Sequence, residues 1–268
     1  MSAVQFGLRP RITAFYLKKR FGQHFLTDRS ILRRIVRFSK ITPEDTVVEI
    51  GAGAGALTSE LAAVASRVIA IEIDKDWIRR LRAKMPANVE IVEGDALQLD
   101  FPAGRFRLAG NLPYNVATPL FKRFIQNRDR IIDITVMIQK EVAQRLIAKP
   151  GTAEYGPLSV LIQYYANVEY GFTVPPGAFK PRPKVDSAVI RMDFKSHVAE
   201  AREFTDFAQR VFSSRRKKLV NNLLQMLPAL GREEVLRGIQ QAGVAMDARP
   251  EELSGTDFLR VYNQFKKN

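Results

Sequence analysis

The chain contains no cysteine. That excludes a disulfide scaffold, a thiol nucleophile, cysteine-bound zinc and an iron–sulfur cluster. Its two histidines, His24 and His197, stand far apart and at no ligand spacing. A histidine-built metal site or a Ser–His–Asp triad is therefore not expected, and no metal is assigned. No apolar run approaches the roughly 18 residues needed to cross a membrane. The first nineteen residues lack the apolar stretch and small-residue cleavage site of a secretory signal. A cytoplasmic protein without a membrane partner is expected. Acids are also scarce: 28 Asp+Glu stand against 42 Lys+Arg, a net charge of +14 over 268 residues. None precedes Asp28, whereas Arg9, Arg11, Lys18, Lys19 and Arg20 do. Such an excess attracts polyanions and says nothing about fold.

What is present is an alternation. Short apolar runs at 46–50, 68–73, 89–93, 106–109 and 131–138 read as strands. Helical patterns at 57–65, 75–84 (capped by Asp74), 118–125, up to 146, and 158–166 lie between or after them. Two further strands, 168–174 and 185–194, follow without an intervening helix. The expectation is an α/β fold with a doubly wound, mainly parallel seven-stranded sheet and an antiparallel edge pair. After Lys195 only helical spacing remains, punctuated by Pro228, Gly231, Gly243 and Pro250. The division expected is 1–195, with a basic arm at 1–27, and a small all-helical domain at 196–268.

Val48-Glu49-Ile50-Gly51-Ala52-Gly53-Ala54-Gly55 runs from a strand into a helix, where glycines admit a ligand close to the backbone. Glu72 closes the second strand and can accept ribose hydroxyls. The Lys-Ser/Thr of a phosphate-binding P-loop is replaced by Leu57-Thr58, and the glycine spacing is not that of the dinucleotide fingerprint. With Glu93-Gly94-Asp95-Ala96-Leu97 ending the third strand, the set resembles the first motifs of S-adenosylmethionine-dependent methyltransferases. In that superfamily the acid at Asp95 pairs with the adenine amine of the cofactor.

Asn111-Leu112-Pro113-Tyr114 lies in a loop read as 110–114. An exocyclic adenine amine is a poor nucleophile because its lone pair conjugates with the ring. Two acceptors on its N–H groups draw it toward a tetrahedral amine. The Asn111 side-chain oxygen and a carbonyl of Leu112 or Pro113 are such acceptors, and Tyr114 can stack on an extruded base. Methyl transfer from a sulfonium needs no strong general base, so positioning and electrostatics suffice.

Arg20-Phe21-Gly22-Gln23-His24-Phe25-Leu26, the glycine loop, Glu72, Gly94-Asp95-Ala96 and Asn111-Leu112-Pro113-Tyr114-Asn115 occur in the order found in rRNA adenine N6,N6-dimethyltransferases. Gln139-Lys140-Glu141-Val142, Tyr155-Gly156-Pro157-Leu158-Ser159-Val160 and 179–189 agree as well. From Arg20 to the C-terminus the chain resembles that family, and its Arg215-Arg216-Lys217-Lys218 helix resembles the small-subunit branch. The resemblance implies dimethylation of adjacent adenines in the 3′-terminal hairpin loop of small-subunit (16S) rRNA, within a pre-ribosomal 30S-type particle. It implies S-adenosylmethionine, with S-adenosylhomocysteine as product, lined by Gln23, His24, Leu26, Gly51, Gly53, Glu72, Ile73, Asp95, Ala96 and Asn111. Many relatives have Asn where His24 stands; backbone contacts make that change tolerable. Phe179 is expected to close over the target base opposite Tyr114. Arg215, Arg216, Lys217 and Lys218, with Lys18, Lys19 and Arg20, are the expected RNA contacts, and Arg33, Arg34 and Arg37 are weaker ones. A monomer is expected. Two other readings stay open: a large-subunit rRNA methylase of the macrolide-resistance type, and a non-catalytic RNA-binding assembly factor.

Overall fold

The structure is a computed structural model that describes residues 24–113, 116–196, 202–214 and 217–266. Its strands are β1 (Phe25–Leu26), β2 (Thr46–Ile50), β3 (Arg67–Glu72), β4 (Val89–Glu93), β5 (Phe106–Asn111), β6 (Ile131–Gln139), β7 (Ala166–Val174), β8 (Phe179–Lys180) and β9 (Ser187–Phe194). Seven of them form one sheet in the order β4-β3-β2-β5-β6-β9-β7. From β4 through β6 the neighbours are parallel, and β9 runs antiparallel to β6. Val47, Val48, Val68, Ile69 and Ala70 have no exposed surface. Central strands covered on both faces read as continuous apolar runs, which is why they are legible in the sequence.

The helices are α1 (Arg29–Phe38), α2 (Ala56–Ala62), α3 (Lys75–Arg82), α4 (Ala117–Gln126), α5 (Lys140–Ile147), α6 (Pro157–Tyr165), α7 (Arg202–Val211), α8 (Leu219–Met226), α9 (Arg232–Gln241) and α10 (Gly255–Phe265). Asp74 caps α3 by accepting from the Asp76 N–H at 2.8 Å. Asp28 caps α1 in the same way, accepting from Ser30 and Ile31. Among the described residues no helix is long and apolar enough to cross a membrane.

The chain resolves into two compact units, one of residues up to 143 with 169–194, the other of 144–168 with residues from 195 onward. The first holds the sheet. The second packs Tyr155, Phe204, Leu219, Val235 and Phe258 into its own core. There the Tyr155 hydroxyl donates to the Leu253 carbonyl at 2.7 Å, and Phe212 stacks on Phe258.

Several details differ from the sequence reading. Residues 144–168 fall in the helical unit, although the expected division at 195/196 put them in the first domain. The expected edge pair, by contrast, is where the sequence put it: β9 and β7 are neighbours at one end of the sheet, with β9 antiparallel to β6. Gly110 and Asn111 end β5 rather than opening a loop, because Asn111 pairs with Met137 of β6. Part of the expected arm is ordered backbone, since β1 pairs antiparallel with β8. Lys217 and Lys218 are not on a helix; they precede Leu219, the first residue of α8.

Candidate active site

The strand order turns around at β2, with β3 on one side and β5 on the other. In such sheets the crevice at the carboxyl ends beside the reversal is where ligands bind. The order β4-β3-β2-β5 therefore sets four sequence-predicted elements in a row: Asp95, Glu72, the glycine loop and Asn111. Three strand intervals span about 14 Å.

The loop after β2 is shaped by backbone demands. Gly51, Gly53 and Gly55 all have positive φ, at 75°, 52° and 82°. At Gly53 a Cβ would also lie 2.9 Å from the Phe25 ring, so any side chain there meets both strain and a clash. Glu72 pins the loop. One carboxylate oxygen accepts the Gly53 N–H at 2.7 Å, and the other accepts those of Ile73 and Asp74 at 2.9 Å each. Glu72 is 4% exposed. A carboxylate offers about four lone-pair sites, so three are engaged with backbone and one is left for a ligand. Ile73 beside it is exposed and apolar. Asp95, half-buried, accepts from the Leu97 N–H at 2.9 Å and from the Gln98 amide at 3.2 Å. Ala96 is half-buried next to it.

Asn111 is held from two directions. Its backbone sits in β5, and the Leu112 N–H donates to the Met137 carbonyl at 3.0 Å. Its side-chain nitrogen donates to the His24 carbonyl at 3.0 Å. Fixing the nitrogen end orients the amide oxygen. The Pro113 carbonyl accepts from the Val116 N–H at 3.1 Å.

His24 joins three elements. Besides its carbonyl bond to Asn111, its Nδ1 lies 2.7 Å from the Pro181 carbonyl. A carbonyl only accepts, so Nδ1 carries the proton in this contact. Leu26 is 6% and Phe179 3% exposed; paired across β1 and β8, both lie in the apolar core with Ile35 and Val174. Leu26 thus has only backbone to offer a cofactor, and the Phe179 ring is enclosed. Two other motifs from the sequence meet here, as Lys140 forms an ion pair with Asp186 at 3.1 Å.

Sequence reasoning passed over Glu49, Phe25 and Trp77. Glu49 is 1% exposed on β2, and its Oε2 makes no hydrogen bond. Burial pushes its carboxyl up to about 7; the charge of Glu72 adds to this, and the Thr58 hydroxyl pulls the other way. The available signal was an acid inside the apolar run 46–50. Phe25 packs on Gly53 and lies 5.0 Å, ring to ring, from Trp77 of α3. That contact joins residues about fifty apart and leaves no local pattern.

Gln23, Tyr114, Arg215, Arg216, Lys18, Lys19 and Arg20 lie outside the described residues. Lys217 and Lys218 are exposed at the turn before α8. Buried Asn222 on α8 braces the segment before that turn, donating to the Val211 and Ser214 carbonyls at 2.8 and 3.0 Å.

A family model described as ribosomal RNA adenine dimethylase matches residues 14–267. The chain is 40% identical over 256 residues to the ribosomal RNA small subunit methyltransferase A of Alcanivorax borkumensis, covering 92% of this chain and 89% of that protein. The crystal structure of a dimethyladenosine transferase from Plasmodium falciparum matches with a TM-score of 0.81 at 29% identity, covering 91% of this chain and 98% of that one. The 23S rRNA methyltransferase ErmE matches with a TM-score of 0.70 at 28% identity, covering 90% of this chain and 99% of that one.

Proposed function

The chain belongs to the ribosomal RNA adenine dimethylase family, and from that premise we propose that it dimethylates the N6 amines of adjacent adenines in small-subunit rRNA. The observation that carries the reading is the placement of Asn111 at the end of β5, directly beside the glycine loop at the point where strand order reverses. The substrate is the 3′-terminal hairpin loop presented on a pre-ribosomal particle, and the protein acts as a monomer in the cytoplasm. Support for the small-subunit choice is the 40% identity to a protein named for that subunit, against 28% to the 23S enzyme.

The residues present fit S-adenosylmethionine. The positive-φ glycine loop leaves backbone exposed to a ligand, Glu72 retains acceptor capacity toward a ribose, and Ile73 offers an apolar surface to an adenine. The resemblance assigns Asp95 and Ala96 to the adenine end and Gly51, Gly53 and the backbone of His24 and Leu26 to the methionine end, together with Gln23, which lies outside the described residues. When bound, the cofactor supplies an electrophilic methyl group on a sulfonium. Its product is S-adenosylhomocysteine, and the reaction takes no metal.

The chain's own contribution is to hold the amine. The Asn111 oxygen, aimed by the bond from its nitrogen to His24, accepts one N6–H. The Leu112 or Pro113 carbonyl accepts the other; that of Pro113 already takes one bond from the Val116 N–H. Two acceptors raise electron density on the amine nitrogen at the moment it needs to be nucleophilic. Tyr114 stacks on the extruded base; Phe179, expected to close over it, is instead enclosed in the apolar core where β8 meets β1 and offers the base no free ring face. The basic set Arg215, Arg216, Lys217, Lys218, Lys18, Lys19 and Arg20 contacts RNA phosphates.

Primer extension on both rRNAs tests the substrate choice. In cells lacking the gene, stops at adjacent adenines near the 3′ end of small-subunit rRNA are expected to vanish, and to return on complementation. Stops lost from large-subunit rRNA instead would assign the chain to the macrolide-resistance type. No change in either, with no calorimetric binding of S-adenosylmethionine, would leave an RNA-binding assembly factor.

A further inference from the structure

Helix α1 carries a charge pattern that its own stability does not explain. From Arg29 to Lys40 the basic residues are Arg29, Arg33, Arg34, Arg37 and Lys40, with no acid among them. Leu32, Ile35 and Val36 face the core. Arg29, Arg33 and Arg37 recur every fourth residue and are all exposed. They therefore form one ridge, advancing about 6 Å per step along the helix axis. Like charges at this spacing repel. Arg29 also stands in the first turn, at the positive end of the helix dipole, with no acid in that turn.

Local partners do not account for the ridge either. Arg33 meets Glu60 at 3.6 Å with 61% of its side chain exposed, a pairing that contributes little. Among the described residues Arg29 and Arg37 hold no salt bridge. Arg34 is set apart from the ridge, with its guanidinium 3.8 Å from the centre of the Phe172 ring.

The ridge begins a few residues after His24, whose carbonyl receives the Asn111 side-chain amide. Its first arginine, Arg29, thus follows by five residues in sequence the group that positions Asn111. We propose that Arg29, Arg33 and Arg37 form a phosphate track for the RNA flanking the target adenine. It is a contact surface on the sheet-bearing unit, additional to the basic turn before α8. Guanidinium groups suit this task because their planar forks pair with phosphate oxygens. The inference rests on the rRNA reading above.

The test replaces all three arginines with glutamine and measures binding to small subunits lacking the methyl groups across a salt series. Each lost phosphate contact lowers the slope of log affinity against log salt by roughly 0.7–0.9. The triple variant is expected to lose about 2 from that slope. Its KM for the subunit should rise roughly tenfold near physiological salt. Its kcat at saturating subunit and its Kd for S-adenosylmethionine should stay near wild type, which also verifies folding. An Arg→Lys triple variant should keep most of the slope. The two failures read out separately. A wild type inert toward these subunits contradicts the rRNA reading. An active wild type with a glutamine variant of equal slope and KM contradicts the ridge alone.

Discussion

Asn111 does two jobs with one amide, and substitutions separate them. Its nitrogen donates to the His24 carbonyl, and its oxygen is the acceptor proposed for the substrate amine. Asn111→Ala removes both functions and should lower kcat by at least about 10²–10³-fold, the usual effect of deleting one preorganised polar contact. Asn111→Asp keeps an acceptor but sets a carboxylate against the His24 carbonyl. It should therefore weaken S-adenosylmethionine binding more than Asn111→Ala does, as calorimetry can measure. Glu49 makes a different prediction. Its folded pKa, about 7, exceeds its ordinary value of 4.5. The folded state then holds the proton more tightly, so stability falls as pH rises from about 4.5 to about 7 and is level above. Glu49→Gln removes that loss, which is about 3 kcal/mol at most. The variant should melt higher than wild type at pH 8 and alongside it near pH 4. Parallel Tm curves across that range would contradict the assignment.

At the scale of elements, the sheet is braced at the end away from the site. Asp133 of β6 pairs with Arg107 of β5 and, at 2.7 Å, with Arg191 of β9, and Arg107 also meets Asp45 at 2.8 Å. Asp133 is 1% exposed. Asp133→Ala removes the carboxylate that buried Arg191 and part-buried Arg107 share, leaving them Asp193 and Asp45, and should cost about 1.5–3 kcal/mol. Urea unfolding would register this as a lower midpoint with an unchanged slope. The strands β2 to β6 were readable because each is a short, mostly apolar run, broken only by single charged residues such as Glu49, Arg107 and Asp133. The β1–β8 pair was not, since two residues on each side carry no period and their partners lie about 150 apart in sequence. The end of β5 was misread because Gly110 and Asn111 suit a turn, while pairing with β6 overrides that preference. Glu49 was hidden by the apolar run around it. The row of Asp95, Glu72, glycine loop and Asn111 was legible residue by residue, but its spatial order came only from the strand order.

For the molecule as a whole, the excess charge of +14 is distributed rather than local. The arginine ridge of α1 lies on one compact unit, and the exposed pair Lys217–Lys218 lies on the other. The proposed cofactor site between Asp95 and Asn111 is organised instead by carboxylates, the buried Glu72 and the half-buried Asp95. Trp77, the sole tryptophan, packs on Phe25, which in turn packs on Gly53 of the glycine loop. Its fluorescence should respond saturably to S-adenosylmethionine. With Glu72→Gln the midpoint should move at least about tenfold higher, since hydrogen bonds to a charged group contribute about 1.5–3 kcal/mol. An unmoved midpoint would remove Glu72 from the binding account. The central claim is adenine N6 dimethylation of small-subunit rRNA, carried by Asn111. Its most direct test is transfer of labelled methyl groups to unmodified small subunits by wild type and by Asn111→Ala, followed by nucleoside analysis. The account predicts label in N6,N6-dimethyladenosine of small-subunit rRNA with wild type, and almost none with the variant. Label in another nucleoside, or a variant that transfers as fast as wild type, would contradict it.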